Sequence, residues 1–137
     1  MLKVLVTVVV GLMIMQMVQS DGILGDQKTV RVENDLASGY AVFLHCKSGD
    51  NDLGPRNLAK GEYQEWSFRN NIAHTTRYYC YLQILHGQVS FDVYSYKDDN
   101  GRCADKCYRS LRDDGLYFYY QYENKWEKKL SWNIHAF

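Results

Sequence analysis

Apolar and polar side chains alternate with a period of two along most of the chain after residue 27. This alternation is typical of strands that bury one face and expose the other. The clearest run is Tyr78, Cys80, Leu82 and Ile84, which share one side of the pattern. We therefore predict that the chain folds mainly as β-strands.

The same alternation marks eight short strands by the apolar residues of their inner faces. Turn signals separate these strands, notably Asn100-Gly101, because both residues readily take positive φ angles. The marker residues are Val30 and Val32; Tyr40 to Cys46; Trp66 and Phe68; Tyr78 to Ile84; Val89, Phe91 and Val93; Cys107 and Leu111; Leu116, Phe118 and Tyr120; and Trp126, Leu130 and Trp132. The predicted fold class is an all-β, single-domain, antiparallel sandwich of about eight strands. We also expect its core to be rich in tyrosine, which buries a ring while its hydroxyl reaches a polar partner.

The first twenty residues have the pattern of a signal peptide. Lys3 provides a basic start, an apolar run extends from Val4 to Val18, and Ser20 precedes a polar residue. A membrane anchor is the alternative, but a spanning helix needs about 20 apolar residues and this run is shorter. We therefore predict a signal peptide over residues 1–20, a mature domain over residues 21–137, and an extracellular location.

The charge balance excludes several classes of partner. The chain has 16 basic and 16 acidic residues. Nucleic-acid binding needs clustered positive charge, and so does a polybasic membrane patch. We therefore expect no nucleic-acid partner, and no membrane insertion once the signal peptide is removed.

Four cysteines, Cys46, Cys80, Cys103 and Cys107, lie in the predicted mature domain. An even number in an exported chain predicts two disulfides. Residues four apart on one extended strand lie about 13 Å from each other, which is beyond disulfide reach. We therefore predict that Cys103 and Cys107 each bond to Cys46 or Cys80. A zinc site is the disfavoured alternative, because only one cysteine spacing is short.

The segment from His45 to Gly54 changes from a strand pattern to an acidic, glycine-flanked turn. Asp52, Leu53 and Gly54 are predicted to be structural: a main-chain acceptor, an apolar plug and a residue with backbone freedom. Asp50 and Asn51 precede them, but the glutamate of a calcium loop is missing at the expected position. We predict no metal ion and no cofactor.

An enzyme of this size would depend on its four histidines, His45, His74, His86 and His135. Nothing in their spacing shows that they converge on one cleft, and no nucleophile elbow or phosphate-binding loop occurs. We predict that the protein is not an enzyme. The alternative is a secreted hydrolase or ribonuclease that uses surface histidines.

An ordered set of motifs resembles the plant self-incompatibility proteins and their S-protein homologues. The resemblance extends from about Val30 to Trp132 and departs from the family at Arg109, where the family places tryptophan. The motifs are Leu-His-Cys-Lys-Ser, Asp-Asn-Asp-Leu-Gly, Trp66-Ser67-Phe68, Thr75-Thr76 with Cys80, and Cys103 with Cys107 before Asp114-Gly115. The resemblance implies a β-sandwich with two disulfides and no enzymatic activity.

It also implies a secreted ligand for a cell-surface protein partner, in some members a pistil protein recognised by pollen. Loops on a rigid scaffold commonly carry such functions. We predict that the partner faces the charged loops Lys47 to Lys60, Asn70 to Thr75 and Lys97 to Asp105, and that the protein is a monomer. The candidate partner-binding residues are Lys47, Asp50, Arg56, Asn57 and His74.

Overall fold

The structure, a computed structural model, describes residues 25–85 and 87–132. Its strands are β1 Gln27–Asn34, β2 Val42–Lys47, β3 Asp52–Leu58, β4 Tyr63–Arg69, β5 Arg77–Ile84, β6 Gly87–Ser95, β7 Lys106–Arg112, β8 Gly115–Tyr120 and β9 Lys125–Ser131. A short helix, α1, spans Tyr96–Asp99, and a 3₁₀ turn spans Gln121–Glu123. The predicted signal peptide, His86 and His135 lie outside the described residues.

The strands form two sheets, which confirms the predicted all-β fold class. The larger sheet has the order β4-β1-β7-β8-β9 and the smaller has the order β3-β2-β5-β6. All neighbouring strands run antiparallel except β1 and β7, which pair in parallel. The first strand of the described chain therefore lies inside the larger sheet rather than at its edge.

Strand β3 was not predicted, because its sequence does not alternate. Among its residues only Leu58 is buried, and Gly54 and Pro55 are usual signs of a loop. Proline is nevertheless compatible with an edge strand, since one side of such a strand makes no ladder hydrogen bonds. Most of the predicted loop from Lys47 to Lys60 is therefore an edge strand, and only residues 48–51 turn between β2 and β3.

The core is mainly aliphatic, so the prediction of a tyrosine-rich core was wrong. Of the 12 tyrosines, only Tyr78, Tyr94 and Tyr120 are buried. Burial raises the pKa of Tyr94 to about 12, and its hydroxyl donates to Oδ1 of Asn70 at 2.7 Å. Some tyrosine side chains point into the core and others point to solvent, and the period-two pattern alone does not show which side of a strand is the inner one.

Several outward tyrosines form one row across the larger sheet. The guanidinium of Arg31 lies 4.2 Å from the ring centre of Tyr108, Tyr108 stacks on Tyr119 at 6.5 Å, and Tyr119 contacts Trp126 at 5.2 Å. Cross-strand pairs of this kind contribute roughly 0.2–1 kcal/mol each. The outer face is thus stabilised by aromatic side chains, including Trp126, which the sequence pattern had placed on an inner face.

Disulfides join Cys46 to Cys80 and Cys103 to Cys107. Two disulfides were predicted, but the predicted pairing of Cys103 and Cys107 was wrong. Only Cys107 lies on a strand, whereas Cys103 belongs to the turn between α1 and β7, so their Cα atoms are 5.3 Å apart. The other disulfide links directly opposed residues of β2 and β5.

The buried ammonium of Lys28 fixes the turn that holds Cys103. It donates to the carbonyl oxygens of Cys103 at 2.6 Å, Ala104 at 2.9 Å and Asn100 at 3.3 Å. Burial lowers the pKa of Lys28, and the nearby carboxylate of Asp26 opposes this shift. The turn is therefore held to β1 by a side chain from the opposite end of the sequence.

Arg109 joins the two sheets from inside the core. A bulge in β6 leaves Val93 without a counterpart in β5, and Nε of Arg109 donates to the Val93 carbonyl at 2.9 Å. Nη2 of Arg109 lies 3.4 Å from Oδ1 of Asp99, and the guanidinium lies 3.6 Å from the ring centre of Phe118. Burial lowers the pKa of Arg109 and raises that of Asp99. The position where the family resemblance places tryptophan thus carries a buried ion pair.

Glu33 gives the fold a specific pH dependence. A hydrogen bond to Asp35, followed by burial, raises the pKa of Glu33 from 4.5 to about 7. Between these two values the Glu33 carboxyl stays protonated in the folded protein but is ionised in the unfolded chain. The free energy of unfolding should therefore fall as the pH rises from about 4.5 to about 7. We expect a loss on the order of 1 kcal/mol.

The measurement is chemical unfolding of wild type and Glu33→Gln across this pH range. Glutamine cannot ionise, so the variant should lack this component of the pH dependence, and the difference cancels the carboxylates that both proteins share. Superimposable profiles would show that Glu33 titrates normally in the folded protein.

Candidate partner-binding surface

The turn between β2 and β3 is shaped by its own polar atoms. The amide of Ser48 donates to the Asn51 carbonyl at 2.8 Å, and the amide of Asn51 donates to the Ser48 hydroxyl at 3.1 Å. Gly49 and Asp50 lie between them and are exposed. The turn therefore presents Asp50 on a fixed backbone.

The following residues support this turn. Oδ1 of Asp52 accepts from the amide of Gly54 at 2.9 Å and lies 2.5 Å from Nε2 of His45. The His45 hydrogen bond, and then the Gly54 amide, lower the pKa of Asp52. Gly54 has a φ of +80°, where a side chain would be strained, and Leu53 packs partly buried against the core. These contacts support the structural roles predicted for Asp52, Leu53 and Gly54.

A second loop, residues 71–76, is closed by Asn71. The amide of Asn71 donates to the Thr76 hydroxyl at 2.8 Å, and Oδ1 of Asn71 accepts from the Thr75 amide at 2.9 Å. His74 has a φ of 59°, and its ring stacks on Tyr96 with centres 4.4 Å apart. Ile72 leaves 81% of its surface exposed. The loop therefore holds one imidazole against Tyr96 and exposes one apolar side chain, that of Ile72.

A groove of about 540 Å³ separates these two loops. The groove is lined by residues 48–51 on one wall, by residue 71 and residues 75–79 on the other, and by Phe68 and Arg69. Arg77 bonds Asp92 through two nitrogens, at 2.9 and 2.7 Å, and this raises the pKa of Arg77. Asp50 forms no ion pair with any other described residue. The groove is thus an open polar site, with the carboxylate of Asp50 on one wall and the guanidinium of Arg69 also lining it.

The structure brings only some of the predicted partner-binding residues together. Asp50 lines the groove, and Lys47 lies at the end of β2 beside Tyr79, whose ring centre is 5.9 Å from its ammonium. His74 lies on the 71–76 loop but lines a smaller neighbouring pocket of about 200 Å³. Arg56 and Asn57 are exposed on β3, opposite Leu44 and Phe43, away from the turn. The five residues therefore do not form one cluster.

The third predicted loop, from Lys97 to Asp105, is largely part of the scaffold. Asp99 and Cys103 are buried, and the side-chain oxygen of Gln121 accepts from the amides of Ala104, Asp105 and Lys106 at 2.8–3.0 Å. The sequence did not predict this buried turn, because its charged residues and glycine are just as typical of an exposed loop. No residue of this segment lines the groove between the 48–51 turn and the 71–76 loop.

Sequence reasoning also missed residues that line the groove. Arg69 ends β4 and Arg77 begins β5, so both flank the 71–76 loop, and Tyr79 follows on β5. The sequence feature that could have identified them is their position at strand ends beside a predicted loop. Which strand ends meet, however, depends on sheet order, which alternation does not reveal.

Each of the two described histidines contacts a neighbouring side chain. His45 bonds Asp52 on β3, and His74 stacks on Tyr96. Within residues 25–85 and 87–132, no group of three or more histidine, cysteine, aspartate or glutamate side chains is arranged to hold a metal ion. The same residues contain no helix that is long and apolar enough to cross a membrane.

Comparison with known proteins agrees with this architecture. Residues 29–132 match the family model described as plant self-incompatibility protein S1. The chain belongs to this family. Self-incompatibility protein S1 of Papaver rhoeas is 39% identical over 101 residues, which cover 72% of each chain. S-protein homolog 2 of Arabidopsis thaliana is 32% identical over 111 residues, which cover 78% of this chain and 69% of that protein.

A solved structure shares the fold of this S1-family member. It is a self-incompatibility protein homologue whose family is described as small, highly stable, secreted plant proteins. The TM-score is 0.54 at 17% identity, and the match covers 80% of this chain and 92% of the other. The resemblance inferred from the sequence motifs is therefore confirmed.

Proposed function

We propose that this S1-family protein is a secreted, non-enzymatic ligand that is recognised by a protein on the surface of plant cells. The observation that carries the proposal is the pair of rigid loops that flank an open polar groove. Fixed loops lose little conformational entropy on binding, which favours affinity. The two disulfides, and the relatives described as self-incompatibility proteins and secreted proteins, support export and recognition.

Within this proposal the recognition surface consists of the 48–51 turn, the 71–76 loop and the groove between them. Asp50 provides negative charge on one wall, Lys47 provides positive charge beside it, and Ile72 provides an exposed apolar contact. Complementary charge sets the rate and specificity of association more than affinity. The partner is therefore expected to contact Asp50 with a basic side chain.

The test compares saturable binding of labelled mature protein to living plant cells, pollen included. Asp50→Ala combined with Lys47→Ala should slow association with the cells at least about tenfold, because both charges belong to the proposed surface. Arg56→Ala combined with Asn57→Ala is the matched control on β3 and should bind like wild type. Both double variants should change the free energy of unfolding by no more than about 0.5 kcal/mol.

Leu53→Ala separates a structural effect from a recognition effect. It should lower stability by about 1–2 kcal/mol, since a partly buried leucine is lost, and should leave cell binding intact at temperatures where it is folded. Unchanged binding by the Asp50 and Lys47 variant, with reduced binding by the β3 control, would locate recognition on the edge strand instead.

A further inference from the structure

The two sheets have unequal numbers of strands, and the difference falls on one side of the sandwich. At one side β3 and β4 meet, where Nε2 of Gln64 on β4 reaches the carbonyl of Leu53 on β3 at 3.5 Å. From this shared side the smaller sheet ends at β6, whereas the larger sheet continues to β9. In β9, only Glu127 and Leu130 are even partly buried. Strand β9 therefore extends beyond the cover of the smaller sheet.

A cleft of about 320 Å³ lies at this side. One wall is the edge of β6 from Val89 to Asp92, and the other is Lys129 and Leu130 on β9. Leu116 and Phe118 of β8 also line it, as do Asp98 and Asp99 of α1. Val89, Phe91 and Leu130 pack against the core but remain partly exposed. These three side chains thus leave partly exposed apolar surface where a fifth strand of the smaller sheet would lie, above the buried Leu116 and Phe118.

The edge of β6 lacks the features that usually block strand addition. Edge strands are commonly protected by proline, lysine or bulges. Strand β3 carries Pro55, and β9 carries a register shift and Lys125, Lys128 and Lys129. In β6, residues 87–92 pair with β5 without interruption and contain neither proline nor lysine, and the bulge lies beyond them at Val93. Asp92, the single charged residue of β6, is bonded to Arg77.

We propose that this cleft binds an extended segment of the partner protein, which pairs with β6 as a fifth strand. In strand addition, main-chain hydrogen bonds give affinity and pockets for alternate side chains give specificity. Alternate apolar side chains of the segment would pack on the partly exposed Val89, Phe91 and Leu130. The inference rests on the proposed function, because it assigns the segment to the same cell-surface partner.

Charges at the cleft define the segment further. The carboxylate of Asp98 and the ammonium of Lys129 each line the cleft, and neither forms an ion pair with another residue of the described chain. The Lys129 ammonium instead lies 5.6 Å from the ring centre of Phe118. The segment that fits has apolar residues at alternate positions, a basic residue near Asp98 and an acidic residue near Lys129.

The test uses a synthetic peptide about as long as β6, with valine at alternate positions and with threonine, one lysine and one glutamate at the positions between them. Backbone amide NMR signals of the full mature protein are followed during titration to about 1 mM peptide. We expect the signals of β6 and β9 to shift. A peptide with its central valine replaced by proline, which removes an amide donor, should bind at least about tenfold more weakly.

Matched variants of the protein test whether the peptide binds in the cleft. Val89→Lys places a charge in the cleft from β6 and should abolish peptide binding, whereas Gln83→Lys adds the same charge at an exposed position on β5 and should not. If Val89→Lys fails to fold, Leu130→Lys changes the opposite wall from the larger sheet and should give the same loss. Sedimentation of the protein alone checks whether a second copy occupies the edge.

Three results would overturn the inference: peptide-induced shifts confined to the loops at residues 48–51 and 71–76, no shifts at all, or a dimer that protects β6 without peptide. The cell-binding assay separates this inference from the proposed function. If Val89→Lys binds cells as wild type does, the cleft is not the partner site although the proposed function stands. If wild type itself binds no cells, the proposed function fails and this inference fails with it, whatever the peptide does.

Discussion

Replacing Arg109 by alanine is expected to lower the free energy of unfolding by about 3–5 kcal/mol. The variant removes the donor to the Val93 carbonyl and leaves the Asp99 carboxylate buried without its cation. It also leaves a cavity beside Phe118, on which the guanidinium stacks. Chemical unfolding at neutral pH measures the loss.

The matched control is Arg102→Ala. Arg102 faces Glu123 at 3.4 Å with both side chains about half exposed, so its removal should cost less than about 1 kcal/mol. Combining Arg109→Leu with Asp99→Asn should recover part of the loss, because no buried charge then lacks a partner. If Arg109→Ala were no less stable than Arg102→Ala, the buried pair would contribute nothing to the fold.

The two disulfides are expected to contribute unequally to stability. The chain-entropy relation assigns about 4 kcal/mol to a bond that spans 34 residues and about 2 kcal/mol to one that spans 4. Cys46→Ala with Cys80→Ala should therefore be more destabilising than Cys103→Ala with Cys107→Ala. All four cysteines are buried, so both double variants lose similar packing. The difference between their free energies of unfolding therefore measures the effect of loop length.

Unfolding of the two double variants under identical conditions gives the comparison. Equal losses, or a larger loss for the variant without the short bridge, would contradict the loop-length explanation. Such a result would indicate that the Cys103 turn contributes more through its contacts with Lys28 than the entropy relation includes.

Strand positions were largely predictable from the sequence, whereas connections between strands were not. Alternation located the inner faces of β5 and β6 because each strand buries one side against a core. It missed β3, an edge strand with a single buried residue, since an edge needs no apolar alternation. The predicted pairing of Cys103 was also wrong, because the distance estimate assumed an extended chain between Cys103 and Cys107 where the structure turns.

The candidate site was predictable only in part for the same reason. The 48–51 turn and the 71–76 loop were identifiable from turn residues. Their apposition across one groove depends on sheet order, which brings Arg69 and Arg77 beside a turn more than fifteen residues away in sequence. Arg109 was identifiable as a departure from the family motif, but its burial follows from the bulge at Val93 and from Asp99 on α1.

The position of β1 inside the larger sheet has a consequence for how the chain folds. Hairpins such as β2–β3, β5–β6 and β7–β8 close over short distances, whereas β1 pairs with β7 across more than seventy residues. Closing such a long loop costs entropy before any contact compensates for it, which slows folding. During synthesis, one edge of β1 stays unpaired until β7 has been made, and unpaired strand edges are prone to aggregate. The period between the synthesis of these two strands is therefore when the nascent chain is most vulnerable to misassembly.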